Sequence, residues 1–401
     1  MKHVYILGYG TEGSEDAEVI SVNRSVVREK TGEDLVVSHI LDLREFPGDI
    51  NEDKIVNDFN VILEDPETDI VVETMGGCGA AYEFTKKALE KGISVCTSNK
   101  ALVAEKGPEL MKIAESNGAR YLFEAAVGGG IPIIRVLRTC LTADDVDGIT
   151  GILNGTTNYI LTAMDRDGAD FDTVLKDAQD KGFAERDPSA DVDGFDAGRK
   201  IAILSSLVTG KNVGWQQVYT EGISKIEQAD FEYARVLKRK IKLLGAFRKT
   251  PKGVFAMVAP FMIPASNPLY MVDGVFNAVL VHGNMLDDSM YYGQGAGKLA
   301  TASAVTADVT DLASRGGDGV RYVWDAEDME LMDFSSTRRR FFVRVAADKK
   351  EEALKAFRGT EEVEAARAGE YAFITGEMSE KNFDEASEMI GGVIGRIRLE
   401  V

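Results

Sequence analysis

Three features of the sequence predict an α/β chain that begins with a doubly wound parallel sheet and continues into an α+β domain and a small βαββαβ unit of ferredoxin-like plan. Short apolar runs alternate with helical segments over residues 1–135, the pattern of βαβ units on a parallel sheet. From about residue 136 the alternation gives way to several helices and longer strand-like runs, as an α+β domain requires. Residues 338–401 read strand, helix, strand, strand, helix, strand, the ferredoxin-like order.

The first strand, 4–7, ends in Gly8-Tyr9-Gly10-Thr11-Glu12-Gly13. A helix follows to about Lys30, with Gly32 as its stop. Further strands are expected at 35–41, 69–73, 93–97 and 121–125, and a helix at 84–91 closed by Gly92. The 69–73 strand leads to Gly76-Gly77, the 93–97 strand delivers Ser98-Asn99-Lys100, and the 121–125 strand precedes Gly128-Gly129-Gly130. In the second part a strand at 146–153 is followed by helices around 157–165, 170–181, 193–209 and 230–240, then by strands at 253–261 and 275–281. Gly293-Gln294-Gly295-Ala296-Gly297 breaks the chain before a helix of small residues at 300–313; the 297–320 segment is expected to complete the first domain. Residues 315–337, rich in Asp and Gly, read as a linker. The expected domains are therefore 1–135, 136–320 and 338–401.

Composition narrows the function. With 401 residues, 44% hydrophobic and 28% charged, and 40 Gly against 9 Pro, the chain is neither disordered nor collagen-like. The longest apolar stretch, 254–263, contains Pro260 and falls short of the ~18 residues of a membrane span. Only Lys2 and His3 separate Met1 from the first strand, so no signal peptide is expected. Cys78, Cys96 and Cys140 are odd in number and widely spaced, which suggests neither a disulfide framework nor a zinc motif. A cytoplasmic protein is expected. A net charge of −20 without a Lys/Arg run argues against nucleic acid or an anionic membrane as partner and for a small molecule. The three histidines, His3, His39 and His282, lie in no nucleophile motif, so proton transfer is expected from lysine or carboxylate.

Gly8, Gly10 and Gly13 have GxGxxG spacing between a strand and a helix, which allows a tight turn and a close approach of backbone N–H groups to a pyrophosphate. A Rossmann-type dinucleotide site is the reading this position favours. Glu12, Glu15 and Asp16 suit a helix N-terminus but compete with a diphosphate. Asp42 is placed to accept from a ribose 2′-hydroxyl, although it lies farther from Gly13 than the usual spacing of about 20 residues. Arg44 suits a 2′-phosphate instead, so NAD and NADP both stay open. The densest polar cluster runs from Asp187 to Lys200. A helix starting near Asp193 would put Asp193, Asp196 and Lys200 on one face. The same acid–lysine spacing is also an ordinary helix pair worth only about 0.2–0.5 kcal/mol. Its companions shift the balance: Glu185, the Asn154-Gly155-Thr156-Thr157-Asn158 turn, and Lys100 at a strand carboxyl end, where ligands sit in such sheets. Two lysines, several carboxylates and an amide-rich turn suit a zwitterionic amino-acid substrate.

At this point the sequence resembles the homoserine dehydrogenase family. The resemblance rests on Ile152-Leu153-Asn154-Gly155-Thr156-Thr157-Asn158-Tyr159-Ile160-Leu161, on Gly182-Phe183-Ala184-Glu185 through Lys200, on Ser98-Asn99-Lys100, on Glu124-Ala125-Ala126-Val127-Gly128-Gly129-Gly130-Ile131-Pro132, and on 293–303. It covers residues 1 to about 320. It implies NAD(P)-dependent interconversion of L-homoserine and L-aspartate 4-semialdehyde, on the route to threonine, methionine and isoleucine. Lys100 and Lys200 would be catalytic, with Asp196 assisting Lys200. Glu185 and Asp191 would hold the substrate's amino group, and Asn154, Gly155 and Thr156 would contact substrate or nicotinamide. Gly8, Gly10, Thr11, Glu12, Gly13, Asp42, Gly76, Ser98, Lys100 and Gly295 would line the cofactor. Glu124, Val127, Gly129 and Ile131 match positions that offer oxygens, mostly main-chain, to a sodium ion, which favours hard oxygen ligands.

The sequence departs from the family pattern at both ends. Glu12 replaces an apolar residue, and Leu41 an arginine; with Asp42 beside it, this gives NAD a slight preference. The tail takes the place of a regulatory ACT domain, but Asp348-Lys349-Lys350 replaces its Pro-Gly turn. Threonine as effector and simple oligomerisation are equally open for it. A homodimer or homotetramer is expected, and a cut near Thr337 is expected to spare the dehydrogenase site. A catalytically silent amino-acid sensor, or another amino-acid dehydrogenase on the same scaffold, are the alternatives.

Overall fold

The structure, a computed structural model, describes residues 1–314 and 322–399. The chain forms two compact units, one made of Met1–Ala143, Ser206–Trp215 and Gly293–Met329, the other of Asp144–Ser205, Gln216–Tyr292 and the chain from Glu330 onward. No helix among the described residues is long and apolar enough to cross a membrane.

The first unit contains, in chain order, β1 (Lys2–Leu7), α1 (Thr11–Val22), α2 (Arg24–Thr31), β2 (Leu35–Leu41), β3 (Ile55–Val56), α3 (Phe59–Glu64), β4 (Thr68–Glu73), α4 (Gly79–Glu90), β5 (Ser94–Thr97), α5 (Lys100–Ser116), β6 (Tyr121–Leu122), α6 (Ala125–Gly128) and α7 (Ile133–Arg135). The strands pair in parallel in the order β3-β2-β1-β4-β5-β6. The order reverses between β1 and β4, and the strand carboxyl ends at such a switch point are where an open α/β sheet takes its ligand. Val4 and Ile6 of β1, Ile40 of β2 and Val72 of β4 share one core with Ala17 and Ile20 of α1. The same core takes in Val305 and Val309 of a later helix, numbered α13 below (Lys298–Ser314). The alanines of that helix let it lie close against α1.

Two expectations for this unit change. The single helix to Lys30 is two, broken at Asn23 (φ −93°, ψ 9°), a residue whose side chain competes with helical backbone bonds. The 121–125 strand stops at Leu122, because the Glu124 N–H donates to the Asp308 carboxylate (2.8 Å) and the chain coils into α6.

The second unit begins with β7 (Val146–Ile152), α8 (Gly155–Asp167), α9 (Phe171–Asp180), α10 (Ser189–Val192) and α11 (Phe195–Thr209). It continues with β8 (Tyr219–Thr220), α12 (Gln228–Val236), β9 (Arg239–Thr250), β10 (Gly253–Pro264), β11 (Phe276–Gly283) and β12 (Asp287–Gln294). After α13 come β13 (Arg338–Ala346), α14 (Lys350–Ala356), β14 (Glu361–Val363), β15 (Glu370–Ile374), β16 (Met378–Ser379), α15 (Glu380–Met389) and β17 (Gly395–Leu399). The main sheet runs β12-β11-β7-β9-β10-β17-β13-β15-β14.

Strand β9 corrects the expected 230–240 helix. The helix ends at Val236, Lys238 adopts a positive φ of 54°, and Arg239 opens a twelve-residue strand antiparallel to β10. Strand β12 is likewise new. Asp193 does not start a helix: it caps α10, and Gly194 (φ 85°) separates it from α11. Of the expected linker, and of the 297–320 segment meant to complete the first domain, 315–321 lie outside the described residues. The part from 322 onward is packed, since Trp324 is buried against Gly107, Leu331 bridges to Val254, and Phe334 stacks on Tyr219 with ring centroids 3.5 Å apart.

The 338–399 strands have the expected order, and they extend the sheet of the second unit: β17 lies between β10, to which it is parallel, and β13, to which it is antiparallel. Buried charge reinforces that seam. Arg398 binds Glu380 (2.7 Å) and Glu221 (2.7 Å), and Arg344 binds Asp230, Glu227 and Glu370 at 2.9–3.0 Å. A cut near Thr337 therefore removes the β17-β13-β15-β14 end of this sheet and leaves β10 as its edge.

Candidate active site

In the first unit, the turn after β1 is held by the Gly8 N–H donating to the Leu41 carbonyl and the Thr74 N–H donating to that of Leu7. Gly13 meets this turn so closely that a Cβ would lie 1.9 Å from the Gly8 oxygen, so only glycine lets α1 start there. Gly10 is the N-cap of α1 and offers no side-chain cap, and Thr11 and Glu12 follow in the first turn. Backbone N–H groups at a helix start suit an anionic diphosphate.

The three acids that compete with such an anion are each engaged or buried. Glu12 accepts from the Ser98 hydroxyl (2.5 Å), Glu15 pairs with Lys298 (3.6 Å), and burial pushes the Asp16 carboxyl well above its ordinary range. Asp42 accepts from the Tyr9 N–H (2.8 Å) and from Arg44 Nε and Nη2 (3.0 and 2.8 Å). The Arg44 guanidinium holds its carboxyl well below the carboxylate range, against the opposing effect of burial. The two candidate ribose-reading residues thus form one bidentate pair.

At the ends of β4 and β5, Gly76 takes a positive φ and Asn99 donates to the Gly77 carbonyl (2.6 Å). Asn99 also caps α5, of which Lys100 is the first residue. Glu73, which sequence reasoning passed over, is buried between the Thr97 hydroxyl (2.7 Å) and the Met75 N–H (2.8 Å).

Hydrogen bonds tie the turn 124–131 to its surroundings. Both Glu124 carboxylate oxygens accept backbone N–H bonds, from Ile134 (2.8 Å) and Arg135 (2.6 Å), and burial together with Asp308 pushes its carboxyl up to about 7. Val127 lies in α6, and Gly129 (φ 55°) would put a Cβ 2.5 Å from the Gly295 oxygen. The Gly130 N–H donates to Gln294, and the Ile131 carbonyl accepts from Ile133. Among the described residues no group of three or more His, Cys, Asp or Glu side chains is placed to hold a metal. A hard cation at this turn would therefore be held by main-chain oxygens.

In the second unit, β7 ends at Leu153-Asn154 and α8 begins at Gly155. Lys200 Nζ, on α11, is 2.9 Å from Asp196 Oδ2 and donates to the Leu153 carbonyl (2.8 Å). Asn154 Nδ2 donates to Asp191 Oδ1 (2.7 Å) and to Asp196 Oδ2 (2.9 Å), while Asn154 Oδ1 accepts from the Thr157 N–H (2.8 Å). Lys200, Asp196 and Asn154 are all buried. The Thr156 hydroxyl donates to the Phe183 carbonyl (2.6 Å), drawing the 183–185 loop to the start of α8. Glu185 is exposed, and its carbonyl accepts from Gln179. The structure thus brings Asn154, Asp191, Asp196 and Lys200 into one bonded group, and leaves Glu185 at its surface. The Leu153 carbonyl was not foreseen, because a main-chain acceptor leaves no side-chain signal. A charged lysine held on a carboxylate and a carbonyl can stabilise an oxyanion or transfer a proton.

Comparison with known proteins adds independent findings. The family profile described as homoserine dehydrogenase matches residues 132–310, and that described as homoserine dehydrogenase, NAD binding domain matches 8–124. The chain is 44% identical over 318 residues to a homoserine dehydrogenase of Neisseria gonorrhoeae, covering 78% of this chain and 72% of that one. It is 41% identical over 310 residues to one of Pseudomonas aeruginosa, covering 77% and 71%. Among solved structures, a homoserine dehydrogenase from Thiobacillus denitrificans is similar with a TM-score of 0.90 at 35% identity, covering 100% of this chain and 98% of that one. A hyperthermophilic archaeal homoserine dehydrogenase mutant in complex with NADPH is similar with a TM-score of 0.65 at 31% identity, covering 78% and 98%.

Proposed function

The chain belongs to the homoserine dehydrogenase family, NAD(P)-dependent oxidoreductases acting on a CH–OH group, and from that premise we propose how its residues divide the work. Lys200, seated on Asp196 and the Leu153 carbonyl, faces the oxygen that is a hydroxyl in homoserine and a carbonyl in aspartate semialdehyde. In the reducing direction negative charge develops on that oxygen, and the Lys200 ammonium stabilises it. Lys100 is the second catalytic lysine, and one of the pair transfers the proton as general acid or base. Asp191, together with Glu185, holds the substrate's ammonium, and the Gly155-Thr156 turn meets the substrate or the nicotinamide ring.

The glycine turn, with Gly8, Gly10, Thr11, Gly13, Gly76, Ser98 and Gly295, holds the nicotinamide dinucleotide. When bound, that cofactor supplies the hydride acceptor or donor. The close approach of α1 to the β1 turn at Gly13, which a Cβ would block, supports this assignment. Asp42 favours NAD, and Arg44, clamped on it, tempers the preference. Oxygens of Glu124, Val127, Gly129 and Ile131, mostly main-chain, would hold a sodium ion, which would stiffen the turn. The 338–399 strands serve assembly into a homodimer or homotetramer, or threonine binding; light scattering and threonine titration of the full chain distinguish the two.

The observation that carries the reading is the bonded group of buried Lys200, Asp196 and Asn154 with half-buried Asp191, beside an amide-rich helix start. It is tested by following nicotinamide absorbance during homoserine oxidation with NAD and NADP side by side, against a panel of other hydroxy amino acids. Turnover of homoserine lost in Lys200→Ala supports it, and selective turnover of another substrate refutes it.

A further inference from the structure

The geometry points to Asn154 as a positioning residue that sets the two acids of the site, Asp191 and Asp196, rather than as a substrate ligand; this rests on the homoserine-oxidising site proposed above. Asn154 caps α8, with Oδ1 accepting from the Thr157 N–H (2.8 Å) and the Thr157 hydroxyl (3.0 Å). An amide oxygen has two lone pairs and an amide nitrogen two hydrogens. Both hydrogens are directed at carboxylates, Asp191 Oδ1 at 2.7 Å and Asp196 Oδ2 at 2.9 Å. The reverse orientation would set the amide oxygen against two carboxylates, so the bonding itself fixes which atom is which.

The cap does not explain the choice of asparagine. Asp and Ser cap a helix about as well as Asn, and neither can donate two hydrogen bonds while its oxygen accepts from Thr157. What requires an amide is the pair of acids. Asp191 lies on α10 and Asp196 on α11, with Gly194 between the two helices. Asn154 bonds to both, and it offsets the repulsion of two carboxylates that must stand close together. It also shares Asp196 Oδ2 with Lys200, which leaves that oxygen a defined direction in which to hold the ammonium. Asp191, aimed at the substrate's amino group, and Lys200, aimed at its reacting oxygen, are thereby set in one frame.

A variant series separates the cap from the donor. Asn154→Ser keeps the cap and loses both donations; Asn154→Asp keeps the cap and puts a third carboxylate against the other two. We expect Asn154→Ser to melt close to wild type and to lose about 10–100-fold in kcat/KM, the scale of a hydrogen bond to a charged group. That loss should fall on kcat as well as on KM for homoserine. Asn154→Asp should lose more. In an Asp196→Asn background the effect of Asn154→Ser on kcat should shrink to under about threefold, because residues acting through one network are not additive. Near-wild-type kinetics in both single variants would reduce Asn154 to a cap. A rise in KM alone, undiminished in the Asp196→Asn background, would make it a direct substrate ligand. Either result overturns the inference. Wild-type turnover of homoserine is the separate control on the reaction itself; if another amino acid is turned over, the same cycle is measured with that substrate.

Discussion

Replacing Arg398 by Met should cost the second unit several degrees of thermal stability, although the residue lies in neither candidate site. Arg398 is 1% exposed and Glu380 2%. The guanidinium binds Glu380 Oε1 through Nε (2.7 Å) and Oε2 through Nη2 (3.0 Å), and binds Glu221 Oε2 through Nη1 (2.7 Å). Breaking a buried ion pair by removing one partner costs about 3–5 kcal/mol, because the remaining charge stays buried. Arg396 still reaches Glu380 (3.0 Å) and Glu221 (3.1 Å), which favours the lower end of that range. At about 2–4 °C per kcal/mol for a unit of this size, Tm should fall by roughly 6–12 °C. The exposed Lys349–Glu352 pair (2.7 Å) is the control: Lys349→Met should change stability by less than about 1 kcal/mol. Acid gives a second reading. Burial alone would raise the Glu221 carboxyl, but the charges of Arg398 and Arg396 bring it below its ordinary value. A group with a depressed folded pKa contributes stability above its unfolded pKa of about 4.3 and loses it as pH falls through the folded value. The difference between variant and wild type should therefore narrow on acidification below about pH 4. Circular dichroism melts of both proteins at neutral and acid pH provide the measurement. An Arg398→Met protein melting within about 2 °C of wild type at neutral pH would refute the reasoning.

Other outcomes follow from the sites. Lys200→Ala and Lys100→Ala should each lower kcat by about 10²-fold or more in steady-state assays; near-normal kcat in either removes that lysine from the mechanism. Glu185→Ala should act mainly through KM for homoserine, and an unchanged KM would leave the ammonium to Asp191. Arg44→Ala exposes the Asp42 charge, so the ratio of kcat/KM for NADP to that for NAD should drop by roughly fivefold, the equivalent of about 1 kcal/mol; an unchanged or higher ratio would show that Asp42 does not read the ribose. Replacing sodium by tetramethylammonium at constant ionic strength should lower Tm if the 124–131 turn holds the ion, and identical melts in the two salts would count against it.

The parallel sheet and its glycine turn were legible because their signals are local: an apolar run, then glycines at fixed spacing. Strand β9 was hidden because Lys238-Arg239-Lys240-Ile241-Lys242 continues a helix-like run, and only its pairing with β7 and β10 makes it a strand. Gly194 carried the signal that Asp193 lies outside the helix, and spacing arithmetic over Asp193, Asp196 and Lys200 overrode it. The lysine and the acids could be named from residue type. The donor role of Asn154 could not, since its partners lie 37 and 42 residues away and only the folded backbone brings them to it. The seam between β10 and β17 was illegible for the same reason, with over a hundred residues between its partners.

That seam also sets an order of events during synthesis. Strand β10 reads Val254-Phe255-Ala256-Met257-Val258-Ala259-Pro260-Phe261-Met262-Ile263, and at Phe261 and Met262 its partner is β17. Until Arg398 and Leu399 have been translated and have left the ribosome, that stretch of edge stands uncovered. At about 5–20 residues per second the wait after Pro264 is roughly 7–27 s. An apolar strand with an open edge is a template for pairing with other nascent chains. The Pro260 beside the gap lacks an N–H, which blunts the edge during those seconds. Ribosome stalling between β10 and β17 would therefore be a more hazardous event for this chain than stalling anywhere in the first hundred residues, where each new strand finds a neighbour already made.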